Sequence, residues 1–377
     1  MDNIIGIIGG GQLGKMLLQY CSTISLKTYV YDPSENAPCK NLCNAFYTGS
    51  LMDYDKILEF GRKCMIVTYE IEHINIDALK TLENEGITVY PSPSTLGVIQ
   101  NKYTQKCFFT DNTLPTSHFY RYTNLQDIKS DIAKNKIELP CVWKKTTFGY
   151  DGFGVKIIKS ISDLDSLDNG ECIIENYVNI HKELSVIVAR NPSNEFKSYP
   201  PVEMIFNENS NQVEFVIEPA DISSNILKEV MKIANAISIY LNHVGLLAIE
   251  FFLTTTGEIL INELAPRPHN SGHLTIESCC PTSQFEQHIR SILNFPLGET
   301  AFTDPAIMIN LVGEEGYSGK ALYKGIDSVF NSKDTYLHIY GKSETRPNRK
   351  MGHITIVGGN YLLDRAKKLK ENIKIIV

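Results

Sequence analysis

Leu246-Leu247-Ala248-Ile249-Glu250-Phe251-Phe252-Leu253 and Glu258-Ile259-Leu260-Ile261-Asn262-Glu263 are two apolar runs separated by the polar turn Thr254-Thr255-Thr256-Gly257. Runs of this length on either side of a glycine-bearing turn predict two strands, and their closeness in sequence predicts a hairpin. Paired in this way, Glu250 and Glu263, 13 residues apart, can face one site. A carboxylate in an apolar strand needs a partner, and neither run contains a basic residue. Two carboxylates beside the amide of Asn262 form a hard-oxygen set suited to Mg2+ that bridges polyphosphate oxygens. The competing reading is two glutamates facing solvent on a sheet surface.

Directly after the second run comes Ala265-Pro266-Arg267-Pro268-His269-Asn270-Ser271-Gly272-His273, a turn dense in hydrogen-bond donors. Arg267 offers a planar fork that matches carboxylate or phosphate. Beside a metal-phosphate site, that composition predicts an anion pocket for a second substrate. His269 and His273 as zinc ligands would need further His or Cys donors at suitable spacing, and the sequence supplies none. A second basic turn, Arg346-Pro347-Asn348-Arg349-Lys350-Met351-Gly352-His353, lies near the C-terminus; read locally, a solvated loop is the default.

Upstream, Lys144-Lys145-Thr146-Thr147-Phe148-Gly149-Tyr150-Asp151-Gly152-Phe153-Gly154-Val155 follows an apolar run and sets a lysine ahead of three glycines. It lacks Walker spacing, yet its glycines permit a loop that closes over a polyphosphate whose charge Lys144 offsets. A hairpin with glycine turns is the bland alternative. At the start of the chain, Gly9-Gly10-Gly11-Gln12-Leu13-Gly14 passes on spacing as a dinucleotide fingerprint, with Asp32 ending the next strand. Its physical content is narrower, since glycines let backbone amides approach any phosphate at a helix N-terminus. An NAD-dependent oxidoreductase is therefore one candidate, and it leaves Glu250 and Glu263 unexplained.

The 377 residues, 43% hydrophobic, provide for two or three domains. The 36 basic residues against 43 acidic ones argue against coating nucleic acid, which needs a basic face. Nine scattered cysteines, without paired C-x-x-C units, fit reduced thiols in the cytoplasm. Neither a leader nor an apolar membrane span is expected. An apolar run at Ile4 to Ile8, a helix from Leu13 to Tyr20 and a strand at Thr28 to Tyr31 predict a βαβ unit. The α/β alternation continues to Val89, and one helix is expected from about Ser94 to Asn112. Ile226, Val230, Ile233, Ile237 and Tyr240 or Leu241 predict an amphipathic helix.

Taken together, these segments resemble the N5-carboxyaminoimidazole ribonucleotide synthetase family of ATP-grasp enzymes. The resemblance spans Gly11-Gln12-Leu13-Gly14, Thr68-Tyr69-Glu70-Ile71-Glu72, Asn101-Lys102-Tyr103-Thr104-Gln105-Lys106, the Gly149 to Gly154 loop, Asn262 to His273 and Arg346 to His353. It implies an α/β and α+β ATP-grasp fold with an N-terminal Rossmann-like pre-ATP-grasp domain. The expected division is 1–103, then 104–293 with a mobile lid over about 104–180, then 294–377 completing the site. It implies a cytoplasmic homodimer that uses ATP with Mg2+, or Mn2+, to carboxylate an aminoimidazole ribonucleotide with bicarbonate, with no nucleic-acid or membrane partner.

Carried over by motif, Lys102 and Lys144 contact the phosphates. Gly149, Tyr150, Asp151, Gly152, Phe153, Gly154 and Val155 cover the nucleotide, and Glu175, Asn176, Tyr177 and Val178 contact the adenine. Glu183 holds the ribose, and Asn262 stands beside the metal ligands Glu250 and Glu263. Arg267, His269 and Asn270 resemble the bicarbonate pocket. Asp151, Arg349 and Lys350 resemble the ribonucleotide side, with Gln12, Leu13 and Glu70 or Glu72. Asp151, Arg267, His269 and Lys350 are the catalytic candidates. The chain departs from the family at Met204 and Phe206, where polar residues are common, at Lys102, where Arg often stands, and at Phe148, where Gly is usual. A formate-dependent glycinamide ribonucleotide transformylase shares the fold and is the alternative within it; a non-catalytic nucleotide-binding regulator would need a broken site.

Overall fold

The computed structural model describes residues 4–147, 149, 154–207, 210–277 and 280–377. Its first sheet is parallel, in the order Ala45–Thr48, Lys27–Asp32, Ile4–Ile8, Ile66–Tyr69, Thr88–Val89. A parallel sheet is covered on both faces, which is why the central run Ile4–Ile8 has no polar side chain and is buried throughout. One face packs with Phe60, Leu79 and Leu82. The other packs with Leu13 and Leu17 of the helix Gln12–Thr23, and also with Phe285, Ile289 and Ile292 from far along the chain.

The single helix expected from Ser94 to Asn112 is two, Pro93–Ile99 and Lys102–Asp111. The break has a local cause: the Asn101 side chain accepts the amides of Tyr103 and Thr104 and so caps a new helix. Capping places Lys102 in the first turn, with its own amide tied to the Thr146 carbonyl.

A second sheet is antiparallel, in the order Phe119–Tyr122, Cys172–Asn176, Cys141–Lys145, Val155–Ile158. The third and largest runs Ile259–Ala265, Gly245–Thr254, Ile180–Arg190, Val202–Phe206, Val213–Glu218, Ala306–Val312, Lys350–Val357, Thr335–Ile339, with Phe196–Ser198 beside Ile180–Arg190. Against it lies the helix Ser224–Leu241, whose Val230, Ile233, Ile237 and Leu241 are buried at the spacing read from sequence. Burying each such side chain contributes about 1.5–3 kcal/mol. Among the described residues no helix is long and apolar enough to cross a membrane.

Candidate active site

One irregularity in the expected hairpin decides where its carboxylates go. Phe251 pairs with Ile261, so an unbroken ladder would set Glu250 opposite Asn262 and turn Glu263 to the other face. The register shifts between Glu250 and Phe251, leaving Asn262 as the extra residue of a bulge and bringing Glu263 opposite Glu250. Glu250, Asn262 and Glu263 then all line one cavity of about 860 Å³.

Three lysines pair with Glu263 or with Glu175. Lys102 forms an ion pair with Glu263. Lys144 lies 3.0 Å from Glu175 and donates to Asn262 Oδ1 at 3.1 Å. Lys106, one helical turn after Lys102, is buried and reaches Glu175 at 3.2 Å and the hydroxyls of Thr116 and Ser117 at 2.7 and 2.9 Å. Burial disfavours the Glu175 carboxylate, but Lys144, Lys106 and the Ser117 hydroxyl outweigh it and bring its pKa to about 2. Burial wins at Lys106, lowering it to about 8 despite Glu175. Glu250 is pushed up by burial and by Glu263 beside it, whereas Lys102 and Lys144 hold Glu263 down against its own burial. Glu183, raised to about 7 by burial, lines the same cavity, as do Gly149, Val155, Asn176, Tyr177 and Val178.

The anion turn lines the same cavity. Arg267 lies 3.0 Å from Glu72. His269 accepts the Ser271 amide at Nδ1, which leaves its Nε2 facing Glu250 at 3.5 Å. Asn270, Lys350, Gln12, Leu13 and Glu70 line the cavity too. The glycine turn is closed: the Gly10 amide donates to Asp32 and the Gly11 amide to Glu70, each at 2.7 Å. A dinucleotide phosphate would meet two carboxylates there, so the turn does not support an oxidoreductase. Burial raises Glu70 to about 7, partly offset by the Gly11 amide and Arg267.

Two placements differ from the sequence expectation. Arg349 donates to the Glu344 carbonyl at 2.7 Å instead of lining the cavity, because its turn folds back on the short strand Glu344–Thr345. Gly154, at φ +78, accepts the Lys145 amide and also stands outside the lining residues. Tyr150, Asp151, Gly152 and Phe153, with Phe148, lie outside the described residues. Lys106 and Lys342 were missed. The four-residue spacing of Lys106 from Lys102 on one helix was the available signal for the first; Lys342 reaches the site only through the fold, donating to the Lys350 carbonyl at 2.7 Å. Met204 and Phe206 supply an apolar wall.

Comparison with known proteins identifies the family. A family model for the ATP-grasp domain matches residues 107–285, one for the ribonucleotide synthetase preATP-grasp domain matches 1–100, and one for the phosphoribosylaminoimidazole carboxylase C-terminal domain matches 306–366. The chain is 38% identical over 99% of its length to a chloroplastic phosphoribosylaminoimidazole carboxylase of Vigna aconitifolia, of which it spans 66%. It is 37% identical to the N5-carboxyaminoimidazole ribonucleotide synthase of Bacillus subtilis, with 94% of this chain and 91% of that one covered. The crystal structure of N5-carboxyaminoimidazole ribonucleotide synthetase from Thermotoga maritima superposes with a TM-score of 0.89 at 41% identity, covering 99% of both chains. With its lysines, paired carboxylates and anion turn lining one cavity, the chain belongs to the N5-carboxyaminoimidazole ribonucleotide synthase family of ATP-grasp ligases.

Proposed function

We propose that this chain carboxylates 5-aminoimidazole ribonucleotide with bicarbonate and ATP, yielding N5-carboxyaminoimidazole ribonucleotide, ADP and phosphate in purine biosynthesis. The observation that carries the reading is the shared cavity, which Lys102, Lys144 and the Glu250/Glu263 pair line together with Arg267, His269, Asn270 and Lys350. A bicarbonate oxygen attacks the γ-phosphorus, the bond to the bridging oxygen breaks and ADP leaves, which gives carboxyphosphate. The amine nitrogen then attacks the carboxyl carbon, losing a proton as phosphate departs.

The chain's own groups position and neutralise. Lys102 and Lys144 offset phosphate charge, Glu183 accepts the ribose hydroxyls, and Arg267 with His269 orients bicarbonate. Lys350 and Glu70 or Glu72 face the ribonucleotide. Glu250, Glu263 and Asn262 fit Mg2+: they are hard oxygen donors, and two carboxylates side by side on one cavity wall, Glu250 pushed up by desolvation and by Glu263, call for a dication. When bound, Mg2+ neutralises charge on the transferred phosphoryl group. The same reading keeps the division at 103 and 293 with a lid over about 104–180, and the homodimer implied by family resemblance. Eight cysteines among the described residues are unpaired thiols, which supports a reducing cytoplasm.

The test is ADP release from ATP with bicarbonate, with and without aminoimidazole ribonucleotide. Release should accelerate with the ribonucleotide, and its amine should be consumed in equal amount. Release indifferent to both substrates would overturn the reading.

A further inference from the structure

Behind the anion turn three imidazoles form a column. His273 stacks on His353 with ring centroids 4.3 Å apart at 10°, and His353 stacks on His338 at 4.5 Å and 11°. Each belongs to a different element: the short helix Asn270–Thr275, the strand Lys350–Val357 and the strand Thr335–Ile339. His338 closes the column against Glu277, and the Tyr340 hydroxyl meets His353 Nδ1 at 3.1 Å. His273 and His353 are buried, and burial holds both rings well below the usual imidazole range, so they are neutral.

The one polar contact of the His273 ring among the described residues is Nε2 to Asn270 Oδ1, at 3.2 Å. A neutral ring that faces an amide oxygen carries its proton on Nε2 and donates it. The Asn270 oxygen is thereby occupied, and its amide nitrogen, without a partner among the described residues, belongs to a side chain lining the cavity. The cost of this arrangement is visible at His273 Nδ1, which is buried with no partner. A ring needed only for packing would avoid that cost by being apolar.

We infer that His273 is a positioning residue: held in plane by His353, it fixes the amide of Asn270 with its NH2 toward the cavity, so that the turn presents a donor to the bicarbonate anion. This rests on the proposed activity.

The bicarbonate KM should rise about tenfold in His273→Phe, which keeps a ring and loses the donor, with ADP affinity unchanged. His273→Gln, which keeps a donor, should recover most of it. Asn270→Ala should match His273→Phe, and the double variant should be no worse than Asn270→Ala alone. If His273→Phe does not bind ADP, His273→Met replaces it as an apolar filler without a donor. Additive losses in the double variant, or a wild-type bicarbonate KM in both apolar variants, would overturn the inference. Wild-type ADP release that ignores bicarbonate sinks the activity itself; bicarbonate-dependent wild type with unmoved variants sinks only the role of His273.

Discussion

The glycine turn after the first strand and the lysine cluster of the cavity are both neutralised by carboxylates, but through bonds of different kinds. At the turn the donors are the amides of Gly10 and Gly11, fixed in the backbone and tied to Asp32 and Glu70. At the cluster the donors are ammonium groups on flexible stems, and on the function proposed above a nucleotide with its dication would compete for the acids that hold Lys102 and Lys144. Exchange is cheap in the second region and costly in the first. A glycine pattern reports backbone geometry, whereas movable charge beside hard oxygen donors reports a phosphate site.

The largest effect should come from removing one of those acids. Glu263→Gln keeps the shape but takes away an anionic ligand, and ATP turnover should fall about a thousandfold or more, about 4 kcal/mol. Near-wild-type turnover in Mg2+ would show that the paired carboxylates are not its ligands.

Glu175 sharpens the contrast through pH. Its pKa falls from the ordinary 4.5 to about 2 on folding, so its stabilisation is fully present above 4.5 and is lost as pH falls through 2. The loss should total about 3 kcal/mol. Urea unfolding at a series of acidic pH values should therefore show a flatter acid limb in Glu175→Gln; limbs of equal slope would mean that the lysine pairing adds nothing.

Lys350→Ala should slow the ribonucleotide-dependent reaction about ten- to a hundredfold, the 1.5–3 kcal/mol of a charge-assisted contact, while ADP affinity holds. A deficit confined to ADP binding would move Lys350 to the nucleotide end. Smallest is Gly11→Ala. Its Cβ would lie 2.6 Å from Glu70 Oε1, so Glu70 must shift and its bond to the turn weakens. The expected cost is about 1–2 kcal/mol of stability, read as a few degrees in Tm, with ADP affinity unaltered. Lost ADP affinity there would erase the distinction between the two regions.

Local patterns announced much of this molecule. The βαβ opening, the amphipathic helix and the hairpin follow from apolar periodicity, which is a property of neighbours in sequence. The convergence of Glu250 with Glu263 was expected from pairing alone, yet plain pairing would have parted them, and the bulge at Asn262 is a register choice that spacing does not encode. The split at Asn101 was legible in principle, since Asn is a capping residue, but the apolar pattern runs through it. Of the two neighbouring cations expected inward, Lys350 lines the cavity and Arg349 does not, because a basic turn's composition says nothing of which cation its backbone aims inward.

The first sheet shares a core with Phe285, Ile289 and Ile292, and Lys15 donates to the Ile339 carbonyl from its covering helix. A nascent chain therefore makes its opening parallel sheet long before the residues that cover one of its faces have been translated. At about 5–20 residues per second, the stretch between the close of that sheet and Phe285 takes roughly ten to forty seconds. Through that interval Ile5, Ile7 and Leu17 wait half-covered, and a ribosome stalled before Phe285 would release a fragment with a sticky, aggregation-prone face.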